Sequence, residues 1–368
     1  MIPVYKPYIA PNTKKYLEDV INSNWLSSGG YYYDAAKSKL EDLLNVKHVL
    51  LTNNGTTATH LLAKSLKYKR NIKKVICPNG VYVAAWNSFL FDNDMTLKLV
   101  DLSLDTWNYD KEQLSLAMKN ESPEETALLL VHNIGNPFEI KDHDFLIVED
   151  NCEGFLGKYH KGKMTGTEHL ASSISFFANK NITCGEGGAV ITNDEEVYEL
   201  CRITHGQGQS SQRFIHSHLG YNYRMTNLTA AVLLSQLEIV DEIMNIKEEL
   251  FNTYKTSLQS EENIHVQTVL DGCKHSNWMF GIRVDGSTYE KAKTYFDSKG
   301  IETRPMFYSA CKQPYMQNYI DNETVQIANQ EKADFLNKEV VILPSYPDLS
   351  KDEQTHVIET VKRYASLI

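Results

Sequence analysis

The sequence has no Cys-x-x-Cys pair. Its six cysteines, Cys77, Cys152, Cys184, Cys201, Cys273 and Cys311, lie scattered along 368 residues, a pattern that builds neither a zinc ligand set nor a disulfide framework and fits reduced thiols in a cytoplasm. Positive charge is in short supply: 37 Lys and Arg against 47 Asp and Glu leave a formal net charge of -10. That balance argues against a general nucleic-acid binder, so a phosphate-bearing substrate must meet local donors instead of a global field. No apolar run approaches the ~18 residues of a membrane span, and Met1-Ile-Pro-Val-Tyr-Lys-Pro7 lacks the charged-then-apolar order of a secretion signal. A soluble, cytoplasmic protein with neither membrane nor nucleic acid as partner is expected. His205, His216 and His218 share no metal-ligand spacing with acids or cysteines, so no metal is expected. No Gly-x-Gly-x-x-Gly follows the first β-rich run, which argues against a Rossmann-type dinucleotide enzyme. Internal repeats, low-complexity stretches and linkers are absent as well.

What is present is an alternation. From about residue 34, helical periodicity alternates with short β-rich runs, as in βα units around a largely parallel sheet. Residues 48–52, 74–77, 97–100, 127–131, 145–148, 173–177 and 189–192 read as strands. Seven strands imply a large, doubly wound α/β domain, and the length leaves room for a second domain at ~150 residues each. Between Thr226 and Ser260 apolar residues recur at helical spacing through Ala230, Leu234, Leu237 and Ile243, with no Pro or Gly. This predicts one long helix leading out of the first domain. Beyond it, a β-rich run at 278–284 and two capping-box signals, Ser287 with Glu290 and Ser350 with Glu353, predict a small α+β domain. The expected boundaries are 1–240 for the large domain and 241–368 for the small one.

The most informative stretch is Ser175-Phe-Phe-Ala-Asn-Lys180-Asn-Ile-Thr-Cys-Gly-Glu-Gly-Gly188, downstream of an apolar run ending in an acid pair, Phe145-Leu-Ile-Val-Glu149-Asp150. A lysine amine can form a Schiff base with an aldehyde cofactor. A carboxylate ending an upstream strand can keep a pyridine nitrogen protonated, which makes the ring an electron sink. Together they point to a pyridoxal phosphate site with Lys180 and Asp150 as its catalytic pair. The glycines of 185–188 either admit a planar cofactor against the backbone or form a plain turn. Asp150 falls where ligands bind in open α/β sheets, at the carboxyl end of a strand, although an acid there can also cap a helix. Glu153 either reaches the same cofactor edge or completes a capping box. Asn54-Gly55-Thr56-Thr57 precedes a helix running through Leu61, Leu62 and Leu66, where free N–H groups, the helix dipole and two hydroxyls suit a phosphate; an ordinary N-cap is the alternative. Ser175 can add a phosphate hydrogen bond, and Tyr82 can stack on the pyridine or sit in the core. Asn222 and Arg224 offer an amide and a guanidinium ahead of the long helix, the latter suited to bidentate anion recognition or to a surface ion pair.

These residues resemble the DegT/StrS-type nucleotide-sugar aminotransferases, which carry pyridoxal phosphate on the aspartate-aminotransferase (type I) fold. The resemblance covers nearly the whole chain, from Asn24-Trp25-Leu-Ser27-Ser-Gly29 through the motifs above to Gly220-Tyr-Asn222-Tyr-Arg224-Met225 and Ile301-Glu-Thr-Arg304-Pro305. Within the family it is strongest toward the GDP-perosamine synthase type, which installs an amine at C4 of a 4-keto-6-deoxyhexose. It implies a mostly parallel seven-stranded sheet plus a smaller α+β domain, Lys180 as Schiff-base lysine and proton shuttle, and Asp150 as partner of the pyridine nitrogen. Tyr82 falls on the ring-stacking position, and Gly55, Thr56 and Ser175 on the phosphate positions. It also implies a homodimer with active sites at the interface, in which Asn222 reaches the partner's cofactor phosphate, and a sugar-nucleotide subsite drawing on Trp25, Ser27, Arg224 and Arg304. Two departures stand out. The connection at 135–145 is compressed where the family has a longer helical segment, and Asn151-Cys152 replaces the usual pair of alanines behind the ring.

The implied reaction is a transamination in two halves. L-Glutamate gives its amine to the cofactor, leaving pyridoxamine phosphate and 2-oxoglutarate, and a nucleotide-linked 4-keto-6-deoxy sugar then receives it, with Lys180 moving the proton each time. Related pyridoxamine-dependent sugar dehydratases have histidine at the lysine position, so Lys180 favours transamination. A C3 sugar aminotransferase and a non-catalytic cofactor-binding regulator are the alternatives. GDP, UDP and dTDP stay open as the nucleotide, with a UDP-viosamine-type product beside GDP-perosamine.

Overall fold

The computed structural model describes residues 1–92, 95–141 and 143–368. Seven strands arise where the sequence predicts them: β1 (His48–Thr52), β2 (Lys74–Pro78), β3 (Thr96–Val100), β4 (Thr126–Val131), β5 (Leu146–Asp150), β6 (Ala171–Ser175) and β7 (Gly188–Thr192). The strands β8 (Ile264–Val266), β9 (Phe280–Val284), β10 (Arg304–Pro305), β11 (Val325–Ile327) and β12 (Val341–Leu343) follow. Helices α1 (Thr13–Ser23) and α2 (Tyr31–Leu44) precede β1, while α3 (Gly55–Arg70), α4 (Ala84–Leu90) and α5 (Lys111–Lys119) follow β1, β2 and β3 in turn. After β7 come α6 (Glu195–His205), α7 (Asn227–Leu237) and α8 (Val240–Leu258), then α9 (Tyr289–Ser298), α10 (Gln317–Asp321), α11 (Glu331–Glu339) and α12 (Lys351–Ala365). Among the described residues, no helix is long and apolar enough to cross a membrane.

Among the described residues the large sheet has eight strands in the order β1-β7-β6-β5-β4-β2-β3-β11, and an antiparallel sheet orders β10-β12-β9-β8. Only β7 runs against its neighbours β1 and β6; the remaining pairs are parallel. β4 is buried along its whole length, as a parallel strand covered on both faces must be. Alternate side chains feed different cores. Leu50, Val75 and Cys77 pack with Leu61 and Trp86, whereas Val49 and Leu51 pack with Leu40 and Leu237, and Ile76 with Leu114 and Phe138. The carboxyl ends of β1, β2, β4, β5 and β6 therefore share one edge, where β7 begins.

Three expectations are corrected. The sheet gains an eighth strand, β11, from residues beyond 240, because Val325–Ile327 pairs in parallel with β3. The predicted long helix is broken at Ile239 (φ -115°, ψ 20°) into α7 and α8. The break falls where the chain changes partners: Leu233, Leu234 and Leu237 belong to the core under the large sheet, while Leu250, Tyr254 and Leu258 pack against the small sheet. The periodicity runs through the break because both segments bury an apolar face. Finally, α9 is capped by Thr288, whose side chain accepts the Lys291 N–H, and not by Ser287, whose hydroxyl pairs with that of Tyr364 at 2.6 Å. The Ser350 and Glu353 capping box forms as predicted. The connection at 135–145 contains no α-helix among its described residues.

Candidate active site

A cleft of about 450 Å³ opens at the shared edge of the strands, lined by Gly55, Thr56, Tyr82, Asp150, Glu153, Ser175, Lys180 and Arg304. A larger hollow of about 860 Å³, bordered by Met118, Phe138, Ile140 and Phe145, shares no residue with it.

The start of α3 forms one wall. Asn54 caps the helix by accepting the Thr57 N–H at 2.9 Å, and the Thr57 hydroxyl donates to Asn53 Oδ1 at 2.7 Å. Thr57 is thus spent on the cap and does not line the cleft. The N–H groups of Gly55 and Thr56 stay outside the helix's own ladder, as the first N–H groups of any helix do. A Cβ on Gly55 would come within 2.7 Å of Ser175 Cβ, so glycine is what lets the end of β6 bring Ser175 beside this turn. Gly188 has a related role. A Cβ there would lie 2.4 Å from the Asn54 carbonyl oxygen, so its missing side chain admits the helix turn, not a cofactor.

The two acids of the motif diverge, since neighbouring side chains on a strand point to opposite faces. Asp150 is buried at the cleft and uses one oxygen to accept the Cys152 N–H at 3.0 Å. It caps a turn, not a helix. Glu149 is wholly buried on the other face and accepts from His132 Nε2 (3.0 Å), His169 Nδ1 (2.6 Å), the Gly166 N–H (2.7 Å) and the Tyr159 hydroxyl. Burial alone would raise its pKa, but the hydrogen bonds and charges of His132 and His169 hold it well below the usual carboxylate range.

Glu153 faces the cleft as well. Its Oε2 accepts the Ile134 N–H at 2.8 Å, while Oε1 lies 4.0 Å from Lys180 Nζ. Ile134 adopts φ 56°, a left-handed conformation uncommon for a β-branched residue. Burial pushes the Glu153 carboxyl up to about 7, against the opposing pull of the Lys180 charge and the Ile134 N–H. The Lys180 amine lies 3.7 Å from the centre of the Trp278 ring, and the Tyr5 hydroxyl donates to the Lys180 carbonyl at 2.7 Å. On the rim, Tyr82 is 58% exposed and meets Phe307 edge-on at 5.8 Å. Arg304 is half exposed, 3.7 Å from Glu302.

This donor set fits pyridoxal phosphate. A lysine can bond its aldehyde, a buried carboxylate with an oxygen to spare can meet its ring nitrogen, and N–H groups at a helix start with a serine hydroxyl can meet its phosphate. The structure does not bring Trp25, Ser27, Asn222 or Arg224 to this chain's own cleft. Trp25 and Ser27 are strapped to Asn227, which donates to both their carbonyls, at 2.9 and 2.8 Å. Asn222 is exposed. The Arg224 backbone bridges Thr52, and its buried Nε has no acceptor among the described residues. Trp278, Ile134 and Phe307 were not singled out by the sequence. Only Trp278 left a trace, as the first residue of a run read as β-rich.

Comparison with known proteins agrees with this chemistry. Residues 7–362 match the DegT/DnrJ/EryC1/StrS aminotransferase family. The GDP-perosamine synthase of Escherichia coli O157:H7 is 32% identical over 374 residues, covering 99% of each chain. That of Vibrio cholerae is 31% identical over 381 residues, covering 100% of each. The fold is similar to that of a GDP-4-keto-6-deoxymannose-3-dehydratase variant with bound GDP-perosamine, at a TM-score of 0.88 and 21% identity over 98% of this chain and 100% of that one. The chain belongs to the DegT/DnrJ/EryC1/StrS aminotransferase family and is a pyridoxal phosphate-dependent enzyme.

Proposed function

We propose that the protein transfers the amino group of L-glutamate to C4 of a GDP-linked 4-keto-6-deoxyhexose, forming a GDP-perosamine-type product. Full-length similarity to two GDP-perosamine synthases supports this acceptor. The observation that carries the reading is the Lys180 amine in a cleft shared with Asp150 and the N–H groups that open α3.

In this reading Lys180 holds the aldehyde end of the cofactor, Asp150 the ring nitrogen, Gly55, Thr56 and Ser175 the phosphate, and Tyr82 one ring face. Bound pyridoxal phosphate supplies an aldehyde to take up the amine and a ring that accepts the electron pair of a broken C–H bond. Lys180 removes the proton from the glutamate carbon that loses nitrogen and delivers one to the sugar carbon that gains it. Glu153 holds a proton near neutrality beside that amine. Arg304 lies on the rim, where a diphosphate can approach.

The reading includes a homodimer in a cytoplasmic location. Trp25, Leu26 and Tyr31 on one segment and Phe214, Ile215 and Leu219 on another are exposed apolar side chains that a second copy can bury. Asn222 and the unsatisfied Arg224 Nε then serve the partner's cofactor phosphate and substrate, alongside Trp25 and Ser27. It also takes residues 1–240 as the cofactor-binding domain, to which Val325–Ile327 returns as an edge strand, and the rest of 241–368 as the smaller domain that brings Trp278, Arg304 and Phe307 to the cleft.

The test follows the visible absorbance of the cofactor-loaded protein as L-glutamate and then GDP-, UDP- and dTDP-linked 4-keto-6-deoxy sugars are added, with the amine located in the product by NMR. Loss of the yellow colour with glutamate and a new amine at C4 of the GDP sugar is expected. An amine at C3, or a deoxygenated sugar with no amine, removes the C4 reading. Conversion of the UDP sugar alone moves the product to the viosamine type, and indifference to glutamate removes the donor.

A further inference from the structure

Two lysines lie close to the same tryptophan. Lys247, on α8, is wholly buried, and no carboxylate is paired with it among the described residues. Its Nζ donates to the Trp278 carbonyl at 2.9 Å and to the Ser345 carbonyl. The rings of Tyr5 and Phe251 lie 5.7 and 5.2 Å from it. Desolvation pushes this amine well below its ordinary range. An apolar side chain would fill the same space without the cost of burying an amine, so packing alone does not account for a lysine here.

The two carbonyls belong to segments flanking the middle of the small sheet: Trp278 leads into β9 and Ser345 follows β12. Lys247 therefore ties together the chain on either side of the strand pair from which Trp278 extends into the cleft. At its other end the Trp278 indole is fixed by Nε1 donating to the Asn179 carbonyl at 2.8 Å, one residue before Lys180. Trp278 is 5% exposed, and the face of its indole meets the Lys180 amine.

We propose that Trp278 is a positioning residue for Lys180, docking the lysine amine on its indole face whenever that amine is not bonded to the cofactor, and that Lys247 holds Trp278 in place for this. The inference rests on Lys180 being the cofactor-bonding lysine. A released lysine has four rotatable bonds and must lose their rotamer freedom before it can act again. The ring face attracts the ammonium form and restrains the neutral one by contact, and Glu153 Oε1 at 4.0 Å limits the amine from a second direction. The amine thus waits at one place between successive tasks.

The test uses the full-length protein stripped of cofactor. The rate at which added pyridoxal phosphate produces the visible band reports capture by free Lys180, independently of turnover. Trp278→Leu is expected to slow capture about tenfold and to lower kcat by a similar factor, with the KM for glutamate and sugar nucleotide within about twofold of the wild type. Trp278→Phe keeps a ring face and is expected to stay within about threefold of the wild type in both. Lys247→Met, which keeps the packing but not the donors, is expected to act in the same direction as Trp278→Leu, and it also supplies the test if the leucine variant does not fold. Wild-type capture and kcat in folded Trp278→Leu, or Trp278→Phe as slow as Trp278→Leu, overturns the role of the ring. Wild-type behaviour of Lys247→Met overturns the role of Lys247. Failure of the wild type itself to develop the band counts against the Lys180 assignment instead.

Discussion

Glu149 and Asp150 are consecutive acids on one strand with opposite fates. Glu149 meets two imidazoles, a phenol and a backbone N–H on the buried face of β5. Asp150 spends one oxygen on a turn and keeps the other for the cleft. The first acid is fully engaged and holds structure; the second is left partly unsatisfied where a ligand can complete it. A buried polar group with a missing partner marks a site, and one with every partner present marks a strut.

Asp150→Asn tests this most sharply. It removes the charge that keeps a ring nitrogen protonated, so kcat is expected to fall by roughly 10²- to 10³-fold, while the urea midpoint of the cofactor-free protein stays close to the wild type. A large loss of stability with little loss of activity would reverse the roles. Glu149→Ala should show the opposite pattern. It strands four donors and is expected to cost about 3–5 kcal/mol of folding stability, measured by urea unfolding, with kcat of the folded fraction nearly unchanged. Because Glu149 is held below its usual range, its contribution is present above about pH 4.5 and lost on acidification.

Glu153 stands between the two. Its folded carboxyl keeps a proton up to about pH 7, whereas the unfolded one releases it near the ordinary 4.5. The folded state therefore binds the extra proton, and stability falls as pH rises through that window. Urea unfolding of the cofactor-free protein at pH 5 and pH 8 should show the wild type losing up to about 3 kcal/mol more than Glu153→Gln; equal losses would remove the raised carboxyl. The smallest effect is expected for His169→Ala. His169 is 21% exposed, so water can replace its hydrogen bond to Glu149, and the cost should be about 1 kcal/mol. A cost matching Glu149→Ala would show that His169 carries the whole network.

Much of the site was legible because its residues lie where strand ends and helix starts can be read locally. Lys180, Asp150, Gly55, Thr56 and Tyr82 each follow a predicted strand, Ser175 lies within one that the fold ends at that residue, and the parallel topology gathers such positions onto one edge. What remained hidden depends on distant chain. Trp278 and Phe307 come from the other end of the sequence, and the left-handed turn at Ile134 has no glycine or asparagine to announce it. Thr57 was misplaced because a hydroxyl at a helix start suits a cap as well as a phosphate. The sequence offered a cofactor or a plain turn for the β7 glycine, whereas the helix turn that needs its bare backbone, at Asn54, lies 134 residues upstream. The break between α7 and α8 was invisible because it changes partners without changing periodicity.

The parallel pairing of Val325–Ile327 with β3 also has a meaning for synthesis. Strand β3 ends at Val100, so more than two hundred further residues must leave the ribosome before its outer edge is covered. Until then a nascent chain with most of its large sheet assembled presents an open row of backbone donors and acceptors. A copy truncated anywhere between those points would keep that edge bare and be prone to self-association.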